Sequence, residues 1–157
     1  MNVKKTGILL CTALLIISCS TIYDTSYDYD KNIDFNNLKT YAWRPIAEKN
    51  RLDQLVIERI KNAVNANLSK KGFKQADNNP DFLIETVFGE RQRRVRRYRY
   101  IEGHLSIDFV EPDSSRLFWH GSAKADLDFK YTPEKSDEII EDAVTKILRY
   151  FPPPPAK

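Results

Sequence analysis

Glycine is scarce in this chain, five in 157 residues, and no cluster of it forms a phosphate-cradling loop or a dinucleotide-binding turn. Only two cysteines occur, Cys11 and Cys19, both near the N-terminus. That excludes a paired-cysteine zinc motif and leaves the rest of the chain without disulfides. Two histidines, His104 and His120, with one nearby aspartate fall short of a closed metal shell. Long apolar runs are missing as well. The best, from Gly7 to Ile17, has 11 residues, whereas crossing a bilayer core takes about 20. Asp24, Asp28, Asp30 and Lys31 follow too soon to extend it.

What surrounds that short run is informative. A charged start, Met1-Asn2-Val3-Lys4-Lys5, precedes it, and Ile16-Ile17-Ser18-Cys19 closes it with a small residue before a cysteine. Charge, apolar core and small-residue cut form a secretory signal. A cysteine directly after the cut resembles a bacterial lipoprotein signal, in which that thiol is acylated and becomes the mature N-terminus. Cleavage between Ser18 and Cys19 and lipidation of Cys19 are the expectation. Cys11 is a poorer acceptor, because bulky Leu10 stands where the cut needs a small side chain.

Removing residues 1–18 leaves 139, enough for one domain with a core, and lowers the formal charge from +3 to about +1. An exported domain without staples depends on apolar burial. Its 41% hydrophobic content, with eight Phe, eight Tyr and two Trp, can supply that. The expected organisation is a signal peptide at 1–18, a lipidated tether at 19–25, a single domain at 26–153 and a proline-rich tail at 154–157.

Within the domain, Tyr27 and Tyr29 alternate with Asp28 and Asp30 as a short strand, and Lys39 to Trp43 forms a second, stopped by Pro45. From Asn50 the period becomes helical: Leu52, Leu55, Val56, Ile60, Ala63, Val64 and Leu68 share a face. Asn50 and Asp53 stand at its start as a capping pair, and Gly72 at its left-handed stop. Three strands follow, at 81–90, 104–110 and 116–129, the last two joined by a turn at 111–115. In the last strand Leu117, Trp119, Ala123, Ala125, Leu127 and Phe129 point inward. Thr132 as cap and Pro133 at the first position open a closing helix, with an apolar stripe from Ile139 to Phe151. The order β-β-α-β-β-β-α predicts an α+β domain: an antiparallel sheet with two amphipathic helices packed on one face.

Seven stretches carry a resemblance. Tyr29-Asp30-Lys31, Asp34-Phe35-Asn36-Asn37-Leu38-Lys39-Thr40-Tyr41-Ala42-Trp43, Lys71-Gly72-Phe73, Asn79-Pro80-Asp81-Phe82-Leu83, Glu102-Gly103-His104-Leu105-Ser106-Ile107-Asp108, Leu117-Phe118-Trp119-His120-Gly121 and Ile147-Leu148-Arg149-Tyr150-Phe151-Pro152-Pro153 occur in that order. In order and spacing they resemble bacterial envelope lipoproteins of the domain-of-unknown-function 4136 family, over about residues 26–153. The resemblance implies an exported α+β domain on a lipid anchor and no particular reaction. Ser20, where an aspartate would favour inner-membrane retention, resembles the sorting position of outer-membrane lipoproteins facing the periplasm. A departure follows Glu90: relatives often have a Gly- and Tyr-rich segment there, and this chain has Arg91-Gln92-Arg93-Arg94-Val95-Arg96-Arg97-Tyr98-Arg99-Tyr100.

Arg91, Arg93, Arg94, Arg96, Arg97 and Arg99 are six cations in nine positions, while the rest of the mature chain sums to about −5. Same-face arginines of an extended segment lie about 7 Å apart and repel by roughly 0.6 kcal/mol per pair in water. A solvated ribbon tolerates this and a buried one does not, so the segment is expected at a strand end or a protruding hairpin tip. Arginine interleaved with tyrosine suits nucleic acid in the cytoplasm. Export points instead to an anionic envelope component, such as phosphorylated lipid headgroups or a polysaccharide, or to an acidic envelope protein. A solvated loop with no partner is the plain alternative.

The polar face of the last hairpin supplies the other candidates. His104, Ser106 and Asp108 share one strand face, and His120 and Ser122 the neighbouring one. The five-residue turn predicts His104 opposite Ser122, with His120 about 7–8 Å away on the diagonal. These are hydrolase residue types, but no nucleophile turn or oxyanion loop accompanies them. The reading is therefore a non-catalytic binding or structural lipoprotein without cofactor or metal, held at the membrane through Cys19.

Overall fold

A computed structural model describes residues 22–45, 54–127 and 132–154. Eight regular elements follow in chain order: strand β1 (Ile22–Tyr29), β2 (Thr40–Trp43), helix α1 (Gln54–Lys70), β3 (Lys74–Gln75), β4 (Phe82–Val95), β5 (Tyr98–Val110), β6 (Leu117–Leu127) and helix α2 (Pro133–Ile147). Short 3-10 turns occupy Phe35–Asn37 and Leu148–Tyr150. One six-stranded sheet runs β1-β6-β5-β4-β2-β3, and the α+β class holds.

The sheet is mixed, which corrects the expectation of an antiparallel one. β1, β6, β5 and β4 pair antiparallel, but β2 runs parallel to both β4 and β3. The reason is topological: α1 carries the chain back to the end where β2 began, and a strand entered after such a crossover points the same way. β3, only two residues long, was not foreseen. β1 also starts at Ile22, so residues 22–25, assigned above to the tether, belong to the sheet.

Alternation builds the two faces. Phe82, Ile84, Leu105, Ile107, Phe109, Trp119, Ala123 and Ala125 are buried with Ile60, Val64 and Leu68 of α1 and Ile139, Val144 and Ile147 of α2 in one core. Aromatic rings fill its centre. Phe109 stacks on Trp119 with centroids 4.8 Å apart, and Phe151, just beyond α2, meets Phe109 edge-on at 4.5 Å. Gly121 lets α2 close on the sheet: a methyl there would stand 2.4 Å from the Trp119 ring and 2.6 Å from Ile147.

Helix ends follow their sequence signals where they lie in the described residues. Gly72 takes φ +89°. The Phe73 N–H reaches the Leu68 carbonyl and the Gly72 N–H that of Ser69, each at 3.0 Å. Both pairs together make the six-to-one and five-to-two closure of a Schellman stop. Thr132 accepts from the Lys135 N–H at 3.3 Å and Pro133 opens α2. The capping pair Asn50 and Asp53, and Leu52 and Phe129, lie outside the described residues.

Candidate functional site

The helix-free face of the sheet carries the polar residues singled out above, in a register different from the expected one. Ser106 pairs with Ser122, Asp108 with His120, and His104 with Lys124. The two-residue displacement has two equal parts. Val110 pairs with Leu117, so the turn holds six residues, 111–116, and Phe109 pairs with Trp119, so Phe118 is an extra residue in β6. This bulge turns Phe118 and Trp119 both into the core and leaves Leu117 50% exposed, against the inward placement expected for it.

One row across four strands reads Asp28, His120, Asp108, Glu85. His120 Nδ1 and Asp108 Oδ1 are 2.5 Å apart, and Glu85 is bridged by the Arg44 guanidinium. In the next row Ser26 and Ser122 join their hydroxyls at 2.9 Å. In the row after that, Lys124 reaches Asp24 at 2.6 Å. His104 stands four residues along β5 from Asp108, about 13 Å, and the two histidines do not meet. The Ser122 hydroxyl is engaged with Ser26, not His120. An oriented imidazole on a carboxylate is half of a nucleophile-activating arrangement. His120 edges a shallow, open depression of about 280 Å³ with Asp28, Asp30 and Trp119. Among the described residues no group of three or more metal-binding side chains is placed to hold an ion, and no helix is long and apolar enough to cross a membrane.

The six arginines come together as the end of one hairpin. β4 and β5 pair from Leu83 opposite Val110 to Val95 opposite Tyr98, with Arg96 and Arg97 as the two-residue turn. β6 supports β5 only to Ile101, opposite Leu127, and β2 supports β4 only to Ile84. Beyond Gln92 and Ile101 the two strands therefore project without described neighbours for roughly 10 Å. All six arginines are exposed, as the self-repulsion argument requires. Arg93 alone among them reaches a carboxylate in the described residues, Glu102 at 3.1 Å. Arg94 and Arg99 face one another across the ribbon, an unfavourable like-charge pair. Arg96 sits at φ +54°, a left-handed position that glycine would occupy more readily.

At the root of the ribbon Glu102 accepts from the Tyr23 hydroxyl at 2.7 Å and from Arg93. These bonds, Tyr23 first, hold its carboxyl below the usual glutamate value. Desolvation first, then Glu102, pushes the Tyr23 phenol up. This contact ties the start of β1 to the hairpin, and the sequence reading missed it by assigning Tyr23 to the tether. The available signal was the β-branched and aromatic content of Ile22-Tyr23-Asp24-Thr25.

Fold and surface together define a class: a small α+β domain, a helix-covered mixed sheet whose open face is polar and whose long hairpin is basic. Residues 25–153 match the domain of unknown function DUF4136, and the chain belongs to that family. No curated protein matches it significantly. Among solved structures it is similar to a PDZ domain protein from Parabacteroides distasonis ATCC 8503, at 20% identity and a TM-score of 0.58. That likeness covers 85% of this chain and 36% of the other, so the chain spans little more than a third of that protein's length. It is also similar to PelC from Paraburkholderia phytofirmans, solved as a dodecamer, at 9% identity and a TM-score of 0.51, covering 80% of this chain and 96% of that one. A minor lipoprotein from Acinetobacter baumannii aligns at 12% identity and a TM-score of 0.44 over 71% and 91% of the two chains. At these identities the first two likenesses are of fold alone.

Proposed function

We propose that this protein is a lipid-anchored lipoprotein of the bacterial cell envelope, acting as a non-catalytic binding or structural accessory. The observation that carries the reading is the N-terminal order itself: charge, an almost wholly apolar run of eleven residues, Ser18, then Cys19, with a folded strand beginning three residues later at Ile22. Acyl chains on Cys19 hold the domain at the membrane, since stable anchoring takes more than one chain. Ser20 suits the outer membrane, periplasmic side. The basic hairpin contacts an anionic envelope component. Mass spectrometry of the N-terminal peptide from native protein tests the anchor. Diacylglyceryl and acyl mass on Cys19, lost in Cys19→Ala, is expected; an unmodified chain retaining Met1 defeats the reading.

A second reading, an envelope hydrolase, draws on the His120–Asp108 pair alone. Its weakness is the absence of a nucleophile bonded to His120 among the described residues. Its test is ester and amide hydrolysis by the purified chain, and activity that vanishes in His120→Ala would favour it over the accessory role.

A further inference from the structure

Resting on the Cys19 anchor proposed above, we infer that the Arg91–Arg99 hairpin is a second membrane contact, seated on the phosphate-bearing headgroups of the leaflet that holds the acyl chains. Strand register places the hairpin at the end of the sheet where β1 begins. Ile22 pairs with Ala125, Ala125 with Gly103, and Gly103 with Glu90. The hairpin end, Val95 opposite Tyr98, lies five residues beyond that level, about 17 Å in the direction from which β1 enters the sheet. Three residues from Cys19 to Ile22 span at most about 11 Å. With the strands directed at the membrane, the hairpin outreaches the tether and meets the headgroups before the tether is fully extended.

Charge favours that orientation. The ribbon carries six arginines, while the rest of the mature chain sums to about −5 and is repelled by an anionic leaflet. Arg91, Arg94, Arg96, Arg97 and Arg99 reach no carboxylate among the described residues. The Arg94–Arg99 juxtaposition and the left-handed Arg96 work against the isolated ribbon. Phosphates between the guanidiniums relieve the repulsion, and arginine suits them through its paired N–H groups. Each arginine at an anionic surface is worth roughly five-fold in binding.

The test uses the lipidated full chain carrying Gln92→Cys, an exposed ribbon position that leaves every arginine in place. The thiol takes a fluorophore, and the protein is reconstituted on vesicles of phosphatidylcholine alone or mixed with phosphatidylglycerol. Both contain a headgroup-level quencher. Quenching several-fold stronger on the mixed vesicles, falling at high salt and in the chain with all six arginines changed to glutamine, is expected. Equal quenching on both vesicles, or none on either, overturns the contact and leaves an acidic protein as the partner to seek. The comparison between vesicles needs no variant arginine, so a misfolded glutamine chain does not decide it. Flotation with neutral vesicles and acyl mass on Cys19 report the anchor separately. A chain that floats without charge dependence loses only the hairpin contact, and one that neither floats nor carries acyl groups loses both.

Discussion

Gly121 stands where α2 comes closest to the sheet, and its hydrogen is a packing requirement. Gly121→Ala forces a methyl into the Trp119 ring and Ile147, neither of which has open space to retreat into. We expect a loss of about 2 kcal/mol, within the range for overpacked cores, read as a lower urea midpoint with unchanged slope. Asp81 acts at the other side of the sheet. Its carboxylate accepts from the Lys39 and Thr40 N–H groups at 2.8 and 2.7 Å and from the Thr40 hydroxyl at 2.9 Å, joining the start of β2 to that of β4. Burial alone would raise this carboxyl, but the three donors hold it below the ordinary aspartate value. A depressed folded pKa means the contribution is complete above the unfolded value, about 3.9, and is lost as pH falls through the folded one. Thermal unfolding of the wild type should therefore lose more between neutral pH and about pH 3 than that of Asp81→Asn.

Among the elements, the arginine hairpin is the least supported. A two-stranded ribbon is marginal in water, and this one has no neighbours among the described residues beyond Gln92 and Ile101, so its amides from Arg93 to Tyr100 should exchange orders of magnitude faster than those of Leu105 to Phe109. Arg96→Gly relieves the φ of +54° and should slow that exchange, by the equivalent of about 1 kcal/mol. The same hairpin shows how far sequence carries. Its exposure followed from like-charge repulsion, and its flanks were visible as alternating residues, yet its full length was not, because charged positions hide the period of a strand. The start of α2 was legible because its cap and first-turn proline are local signals, but its end was not: the helix stops at Ile147 and a 3-10 turn carries the apolar stripe on to Phe151. The register of β5 on β6 was not legible, because it depends on one extra turn residue and on the bulge that places both Phe118 and Trp119 in the core. That single displacement separated His104 from Ser122 and brought His120 to Asp108. The parallel setting of β2 escaped for a related reason: direction is a property of the crossover, not of the strand.

For the whole molecule, one core holds the described residues together without covalent staples. No cysteine follows Cys19, so the unfolding midpoint of this fold should be unchanged by reductant, a comparison that a single melting series with and without dithiothreitol decides. Stability is thus carried by the aromatic centre, and the polar sheet face and the hairpin are free to serve contacts. β1 adds a mechanical consequence. It is the edge strand nearest the N-terminus, laid antiparallel on β6 from Ile22 opposite Ala125 to Tyr29 opposite Trp119. Tension entering through the N-terminus runs along the axis of β1, so the rungs between the two strands bear it in shear, all together, instead of opening one after another. A pull at that end therefore unfolds the domain less readily than the length of the strand alone would suggest.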